Sequence, residues 1–571
     1  MKKMVFKEIR ILAAVLLLMS LIMSGCAADK KPDTSAITEK PGGIVTDAPG
    51  DTPTDMPTDG PTEEPAHKHT FGEWKTIKEP TCIEAGEQER SCECGEVERE
   101  TLAAKGHEFV EGVCTRCGEK INGDVTGLEF ALTEDGNGYT VTGIGTCKES
   151  MLSVPGTYNG KPVVEIGEKA FYECEQLTEV VLPSSVKKIG KRAFQSCINL
   201  RSIELPEGLE EIAASGLSFC ASLSALTFPQ SLRSVGEYGL YKNESLRELT
   251  IPKGLTELSR TALTRLTGLE KLTVEEGNPR FRSAGNCVIE TAEKRLYAGC
   301  RTSVIPDDGS VDNIGGFAFY YCTPLTETVL PDTIVSIGSE AFEGCSGLTS
   351  ITLSKNLKSI GFAAFRHCEG LTAVTLPDSI ETIARESFRS CLNLEEIDLG
   401  SGLKTVERYA FQETKLKALN FPASVELIEP RAAGFCAELV TVTVAEGNPK
   451  YHSSGNCVIE TESKTLVLGS NSTVIPDDGS VTSIAQEAFY VLSLTEITIP
   501  EGIESIGIEA FRGCRSLTTV NLPVSLKIVG GAAFTSCESL AAANYAGTSD
   551  QWTQVRVEIG NDELLAALKT K

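Results

Sequence analysis

Apolar positions along residues 166–542 keep one long register, and they form neither helical stripes nor extended alternation. The recurring run Leu-x-x-Ile/Val-x-Leu-Pro predicts a short β-strand, because its apolar residues alternate and a proline closes it. An apolar residue follows, then Ile-Gly, then Ala-Phe, often a cysteine, then the next leucine. The clearest copies are LPSSVKKIGKRAFQSCINL, Leu182 to Leu200, and LPDSIETIARESFRSCLNL, Leu376 to Leu394. Pro183, Pro206, Pro229 and Pro252 stand 23 residues apart, as do Phe342, Phe365, Phe388 and Phe411. A period of this length predicts a solenoid, since one unit cannot bury its own apolar side and needs neighbours. The expected architecture is a parallel β-sheet on one face, with short turns, 3-10 or helical segments on the other. In the coil after Pro183, the inward set is Val186, Ile189, Ala193, Phe194, Cys197 and Leu200.

The ends of the array break the period. Alternation in Leu128-Glu-Phe130-Ala-Leu132 and Tyr139-Thr-Val141, around Asp135-Gly-Asn-Gly138, predicts a hairpin within an N-terminal cap over 123–165. A C-terminal cap is expected over 543–571, with Tyr545 to Trp552 and a polar helix towards Leu568. Two longer units interrupt the array, from Gly277-Asn-Pro-Arg-Phe281 to Cys287-Val-Ile289 and from Gly447-Asn-Pro-Lys-Tyr451 to Cys457-Val-Ile459. Both run on to Val-Ile-Pro-Asp-Asp-Gly-Ser-Val, at Val304 and Val474, an offset of 170 residues that points to a duplicated block. Leu240 in place of phenylalanine and Gly400 in place of proline are local departures.

The motif Leu-Pro-x-Ser-Val/Ile-x-x-Ile-Gly-x-x-Ala-Phe-x-x-Cys-x-x-Leu resembles the 23-residue, BspA-like leucine-rich repeat of bacterial surface proteins, and both long units match that family's insert. The resemblance implies a solenoid of leucine-rich repeats that adheres to host proteins, glycans or other cells.

Upstream of the array the composition changes. Residues 1–25 carry Lys2, Lys3, Lys7 and Arg10, then the apolar run Ile11 to Met23, the pattern of an export signal. Met23-Ser24-Gly25-Cys26 resembles a lipoprotein lipobox, which implies cleavage before Cys26 and a lipid on its sulfur. Residues 26–66 repeat Asp-x-Pro at Asp47, Asp51, Asp55 and Asp59 and are expected to form a disordered tether, lacking the apolar surface to offset ordering entropy. Residues 67–122 are a small Cys/His-rich module. Cys92-Glu-Cys94-Gly95 and Cys114-Thr-Arg-Cys117-Gly118 look like two metal knuckles, so Cys92, Cys94, Cys114 and Cys117 are expected to hold a structural zinc or to form disulfides. No other cofactor is called for.

A formal charge of -26 disfavours nucleic acid and anionic membrane surfaces as partners, leaving the lipid anchor as the membrane contact. No Gly-x-Ser-x-Gly, phosphate loop or His-Glu-x-x-His occurs, so no enzyme is expected. The ladder cysteines, Cys197 and Cys391 among them, fit small core residues that bond to loop backbone. Asp307-Asp308-Gly309 and Asp477-Asp478-Gly479 read as turns, lacking the carboxylate spacing of a calcium loop. His367 and His452 have no carboxylate partner in sequence. The expected ligand-binding face is the outward position of the strand: Thr227, Thr250, Thr273, Thr352, Thr375, Asp398, Asn420, Thr443, Thr498 and Asn521. β-propensity and Thr–Thr bonding along a ladder account for the same row. The reading is a lipid-anchored protein on the outer face of the cell membrane that binds a surface protein or glycan. The alternative is a scaffold that organises other envelope proteins. Oligomeric state is left open.

Overall fold

The computed structural model describes residues 71–81, 84–92, 95–102, 116 and 127–571, and the backbone of 109–110 and 113–114. The expected signal, the lipidation site Cys26 and the tether lie outside the described residues. Strands Lys75–Lys78, Gly86–Ser91 and Val97–Leu102 form a small antiparallel sheet ahead of the array.

Each coil of the array has three sides. On the first, Glu179–Val181 pairs in parallel with Ser202–Glu204, and Glu179 faces Ser202, one period on. This is the strand expected from the Leu-x-x-Ile/Val-x-Leu-Pro run. The second side carries a ladder that the one-sheet expectation did not include. Lys188–Ile189 pairs with Glu211–Ile212, which pairs with Ser234–Val235 and then Glu257–Leu258. Two residues per coil show no alternation in sequence, so this sheet is invisible until coils stack. It nevertheless runs further than the first, through nine strands between Phe281–Ala284 and Leu427–Ile428. Where glycine follows the ladder isoleucine the approach is close: a Cβ on Gly190 would lie 2.7 Å from the Ile166 carbonyl oxygen.

The third side is the Ala-Phe turn. Two residues four apart adopt left-handed backbone there, as in Arg192 (φ 57°) and Ser196 (φ 64°). The alternating residues reach across to the next coil: Arg192 N–H donates to Ala214 O, Phe194 N–H to Gly216 O and Ser196 N–H to Ser218 O, at 2.9–3.0 Å. The intervening amides close turns within their own coil, as Cys197 N–H does to Phe194 O at 3.2 Å. Backbone polar groups are thus satisfied on a side that has no strands.

The core is a set of ladders. Val186, Ile189, Ala193, Phe194, Cys197 and Leu200 are all fully buried, as the pattern predicts. Phe319, Phe342, Phe365, Phe388 and Phe411 stack with centroids 5.0, 5.3, 5.2 and 6.1 Å apart. Burial of each such ring contributes about 1.5–3 kcal/mol before entropy is set against it. Leu240 keeps the buried position where it replaces phenylalanine.

Both inserts fold alike. Phe281–Ala284 and Cys287–Glu290 form a hairpin, and Arg295–Ala298 then pairs in parallel with Asn313–Ile314. Tyr451–Ser454, Cys457–Glu460, Thr465–Leu468 and Ser483–Ile484 repeat the arrangement. Gly285 and Gly455 both have φ 57°, and a Cβ on either would overlap the carbonyl of Val304 or Val474, so the Gly-Asn of the motif is a steric requirement. Each insert ends one stretch of the second ladder and begins another. At the start of the array, Tyr139–Gly143 pairs antiparallel with Glu129–Leu132 and parallel with Lys161–Ile166. At its end, Arg556–Val557 extends the second ladder after helix Ser549–Trp552, and Leu568–Lys569 extends the first after helix Asp562–Ala567.

Candidate binding surfaces

Strand alternation turns every second side chain of the first ladder outwards. Thr250, Thr352, Thr375, Asp398, Asn420 and Thr498 are exposed there, Thr273, Thr443 and Asn521 are half-buried, and Thr227 is exposed just past the single bridge residue Ala225, outside any strand. Several bond to their neighbour in the adjoining coil. Thr250 and Thr273 hydroxyls meet at 2.9 Å, Thr443 donates to Asn420 Oδ1 at 2.7 Å, and Asn521 Nδ2 donates to Thr498 Oγ1 at 2.9 Å. Cross-strand bonding therefore accounts for part of the row. The same column also holds Val329, 62% exposed, so the polar row is interrupted near the first insert. Towards the C-terminal end it borders a shallow open depression lined by Thr498, Glu501, Asn521, Asn544, Tyr545 and Lys569.

The ladder cysteines take a repeated bond. Cys197 Sγ donates to Phe171 O at 3.1 Å, Cys368 to Phe342 O at 3.1 Å, and Cys537 to Phe511 O at 3.2 Å. Burial pushes the thiols up, that of Cys391 to about 12 and that of Cys436 to about 11. Asn243 fills the same ladder position, fully buried, with Nδ2 on Leu217 O at 3.0 Å. These positions are structural, as the sequence suggests.

The acidic dipeptides form turns. Asp308 Oδ1 accepts from Ser310 N–H and Asp478 Oδ1 from Ser480 N–H, each at 2.9 Å, and both carboxyls are held below the ordinary range, chiefly by the serine side chains. His452 Nδ1 lies 2.9 Å from Thr461 Oγ1, and burial lowers His367 first, with Arg366 adding to it. In the small module, Gly95 N–H donates to Cys92 O at 2.9 Å, a tight turn, and Cys114 ends the strand Val113–Cys114. Cys94 and Cys117, the other two expected metal ligands, lie outside the described residues.

The turn side carries chemistry that the sequence reading missed. Among the described residues, five aromatic side chains are exposed by more than a third: Tyr158, Tyr172, Tyr238, Phe362 and Phe435. All but Tyr158 lie on the turns. Arginines sit among them in two patterns. In later coils they are matched by buried glutamates: Arg366 bonds Glu343 at 2.7 Å and Glu386 at 2.9 Å. Arg408 and Arg431 both reach Glu487, at 2.5 and 2.6 Å, across the second insert. Burial raises the Glu343 carboxyl to about 7, against the pull of Arg366, with Glu340 adding to the rise. In earlier coils the arginines meet rings instead. Arg265 lies 4.0 Å over Tyr321 and donates to Tyr241 OH at 3.0 Å, bridging the first insert. At the second insert Arg431 takes the same role, 3.9 Å over Tyr490.

The model of the BspA type leucine rich repeat region matches six copies, over residues 164–285, 312–440 and 470–553, more than half of the chain. The chain belongs to the BspA-type leucine-rich repeat family. That match is to a repeat region and indicates no enzyme family. Solved structures similar to this BspA-type chain include leucine-rich repeat proteins from Bacteroides ovatus and Eubacterium ventriosum. The first is 23% identical over 77% of this chain and 100% of that one, TM-score 0.40. The second is 23% identical over 55% of this chain and 94% of that one, TM-score 0.42. A leucine rich cell surface protein from Faecalibacterium prausnitzii is 21% identical over 76% of this chain and 96% of that one, TM-score 0.29. No curated protein matches the chain. Among the described residues no helix is long and apolar enough to cross a membrane.

Proposed function

We propose that this chain is a lipid-anchored cell-surface protein whose solenoid binds a macromolecular partner, a protein or a glycan, in adhesion. The observation that carries the reading is the outward row of the first ladder, from Thr227 to Asn521, which presents hydroxyl, amide and carboxylate groups on coils to either side of Val329. Coils of parallel strands repeat at about 4.8 Å, so such a row meets an extended ligand at many points. The family supports a non-catalytic interaction role, and the export signal with Cys26 supports presentation outside the cell. Structural zinc in the small module remains part of the proposal, held by Cys92, Cys94, Cys114 and Cys117.

Purified mature protein on a sensor surface, offered host matrix proteins, glycans and solubilised envelope proteins in turn, tests this reading. Saturable binding of a matrix protein or glycan supports adhesion. Binding confined to envelope proteins moves the assignment to a scaffold, and no saturable binding removes both.

A further inference from the structure

The charge of the turn side departs from that of the chain. In the five turns built from residues 190–196, 213–219, 236–242, 259–265 and 315–321 the cations are Lys191, Arg192, Lys242, Arg260 and Arg265, and the one acid is Glu237. Backbone bonds place these turns side by side: Arg192 N–H to Ala214 O, Ser215 N–H to Glu237 O, Leu240 N–H to Ala262 O and Arg265 N–H to Tyr320 O, at 2.8–3.3 Å. Among the described residues none of the five cations has a carboxylate within ion-pair distance, whereas Lys187, Lys188 and Arg247, in the same coils but on the other sides, each do. Lys191, Arg192 and Arg260 are exposed.

Between the cations lie rings. Phe219 and Tyr241 are 5.2 Å apart, Tyr238 and Tyr241 5.3 Å, Phe317 and Tyr320 5.5 Å, and Tyr320 and Tyr321 4.7 Å, mostly edge to face. Lys242 Nζ lies 5.5 Å over Phe219. Tyrosine and arginine are the side chains that dominate binding energy at protein interfaces. Rings packed edge to face also hold their donors in place, which lowers the ordering cost of binding.

We infer that this basic and aromatic patch docks an acidic polypeptide segment, one whose carboxylates are interspersed with proline or aromatic residues. The unpaired guanidinium and ammonium groups take the carboxylates, and the ring faces take the intervening side chains. A chain carrying -26 repels a densely charged polyanion as a whole, which favours sparse carboxylates over a nucleic acid or a heavily sulfated glycan. The patch is on a different side of the coil from the threonine row, so it is a second site and stands or falls separately from adhesion through the sheet.

The test uses the mature full-length chain and fluorescence anisotropy of a labelled peptide of glutamate, proline and tyrosine, beside its glutamine counterpart. Saturable binding of the acidic peptide alone is expected. It weakens at least about tenfold in Arg192→Glu/Arg260→Glu, an exposed pair. Tyr238→Ala weakens it as well, while Thr250→Glu on the sheet leaves it unchanged. Absence of saturable binding, equal binding of both peptides, or full retention by both turn-side variants overturns the inference. So does tighter binding of heparin or single-stranded DNA than of the peptide.

Discussion

At the scale of single residues, the cysteines and Glu343 make opposite kinds of prediction. A thiol raised to about 12, as in Cys391, is almost wholly protonated near neutrality, and the protonated form is a poor nucleophile. Native protein is therefore expected to leave its ladder thiols unmodified by iodoacetamide at pH 8, and unfolded protein to react at all of them, by mass spectrometry. Rapid modification of Cys368 or Cys391 in the native state contradicts the bonding to phenylalanine carbonyls. Glu343 is 2% exposed, with one carboxyl oxygen lacking a hydrogen-bond partner among the described residues. Its folded pKa of about 7 lies above the ordinary 4.5, so the folded state binds the proton more tightly than the unfolded state does. Its contribution is full below 4.5 and is lost as pH rises through about 7. Glu343→Gln keeps a neutral acceptor for Arg366 and is expected to flatten the fall of Tm across that window. An unchanged slope places the titration elsewhere.

At the scale of elements, the phenylalanine ladder and the inserts carry the predictions. Phe365 is fully buried between Phe342 and Phe388, and Phe365→Ala is expected to cost about 3–5 kcal/mol by denaturant titration. A loss under 1 kcal/mol would mean that the neighbouring rings close the gap. What the sequence revealed about these elements follows from periodicity. The proline-terminated strand, the inward set around Phe194 and the duplicated inserts repeat in register, and all are found where the pattern places them. The second ladder was hidden because two residues per coil, such as Lys188–Ile189, carry no alternation. The turn-side patch was hidden for another reason. Tyr241 and Tyr320 share one column of the repeat while Tyr238 and Arg265 stand in others, so the period does not mark the set, and it is the first insert that brings Arg265 against Tyr320. For the threonine row the sequence also carries its interruption, since Val329 stands two residues before Pro331 in the same column, an apolar residue that suits a strand equally well.

For the whole array, stability is a sum of coils and nearest-neighbour contacts, so it divides where those contacts change. The buried side chains form three clusters, and the boundaries fall at the inserts, around Cys287–Val288 and Cys457–Val458. Of the two tryptophans, Trp552 packs on Tyr545 in the last block, with ring centroids 5.0 Å apart. In Trp74→Phe protein, fluorescence therefore reports the last block and far-UV dichroism the whole. Their denaturant midpoints are expected to differ, and coincident transitions would make the array a single cooperative unit.

The proposed function places binding on the outward polar sheet row of a family fold with no enzyme indicated. Interferometry of mature protein against immobilised host matrix proteins and glycans, with Thr250→Glu/Thr375→Glu/Thr498→Glu as the paired variant, tests it most directly. Saturable binding by the native chain, weakened at least about tenfold in the variant at unchanged Tm, is the predicted result. Binding that the variant retains in full would contradict it.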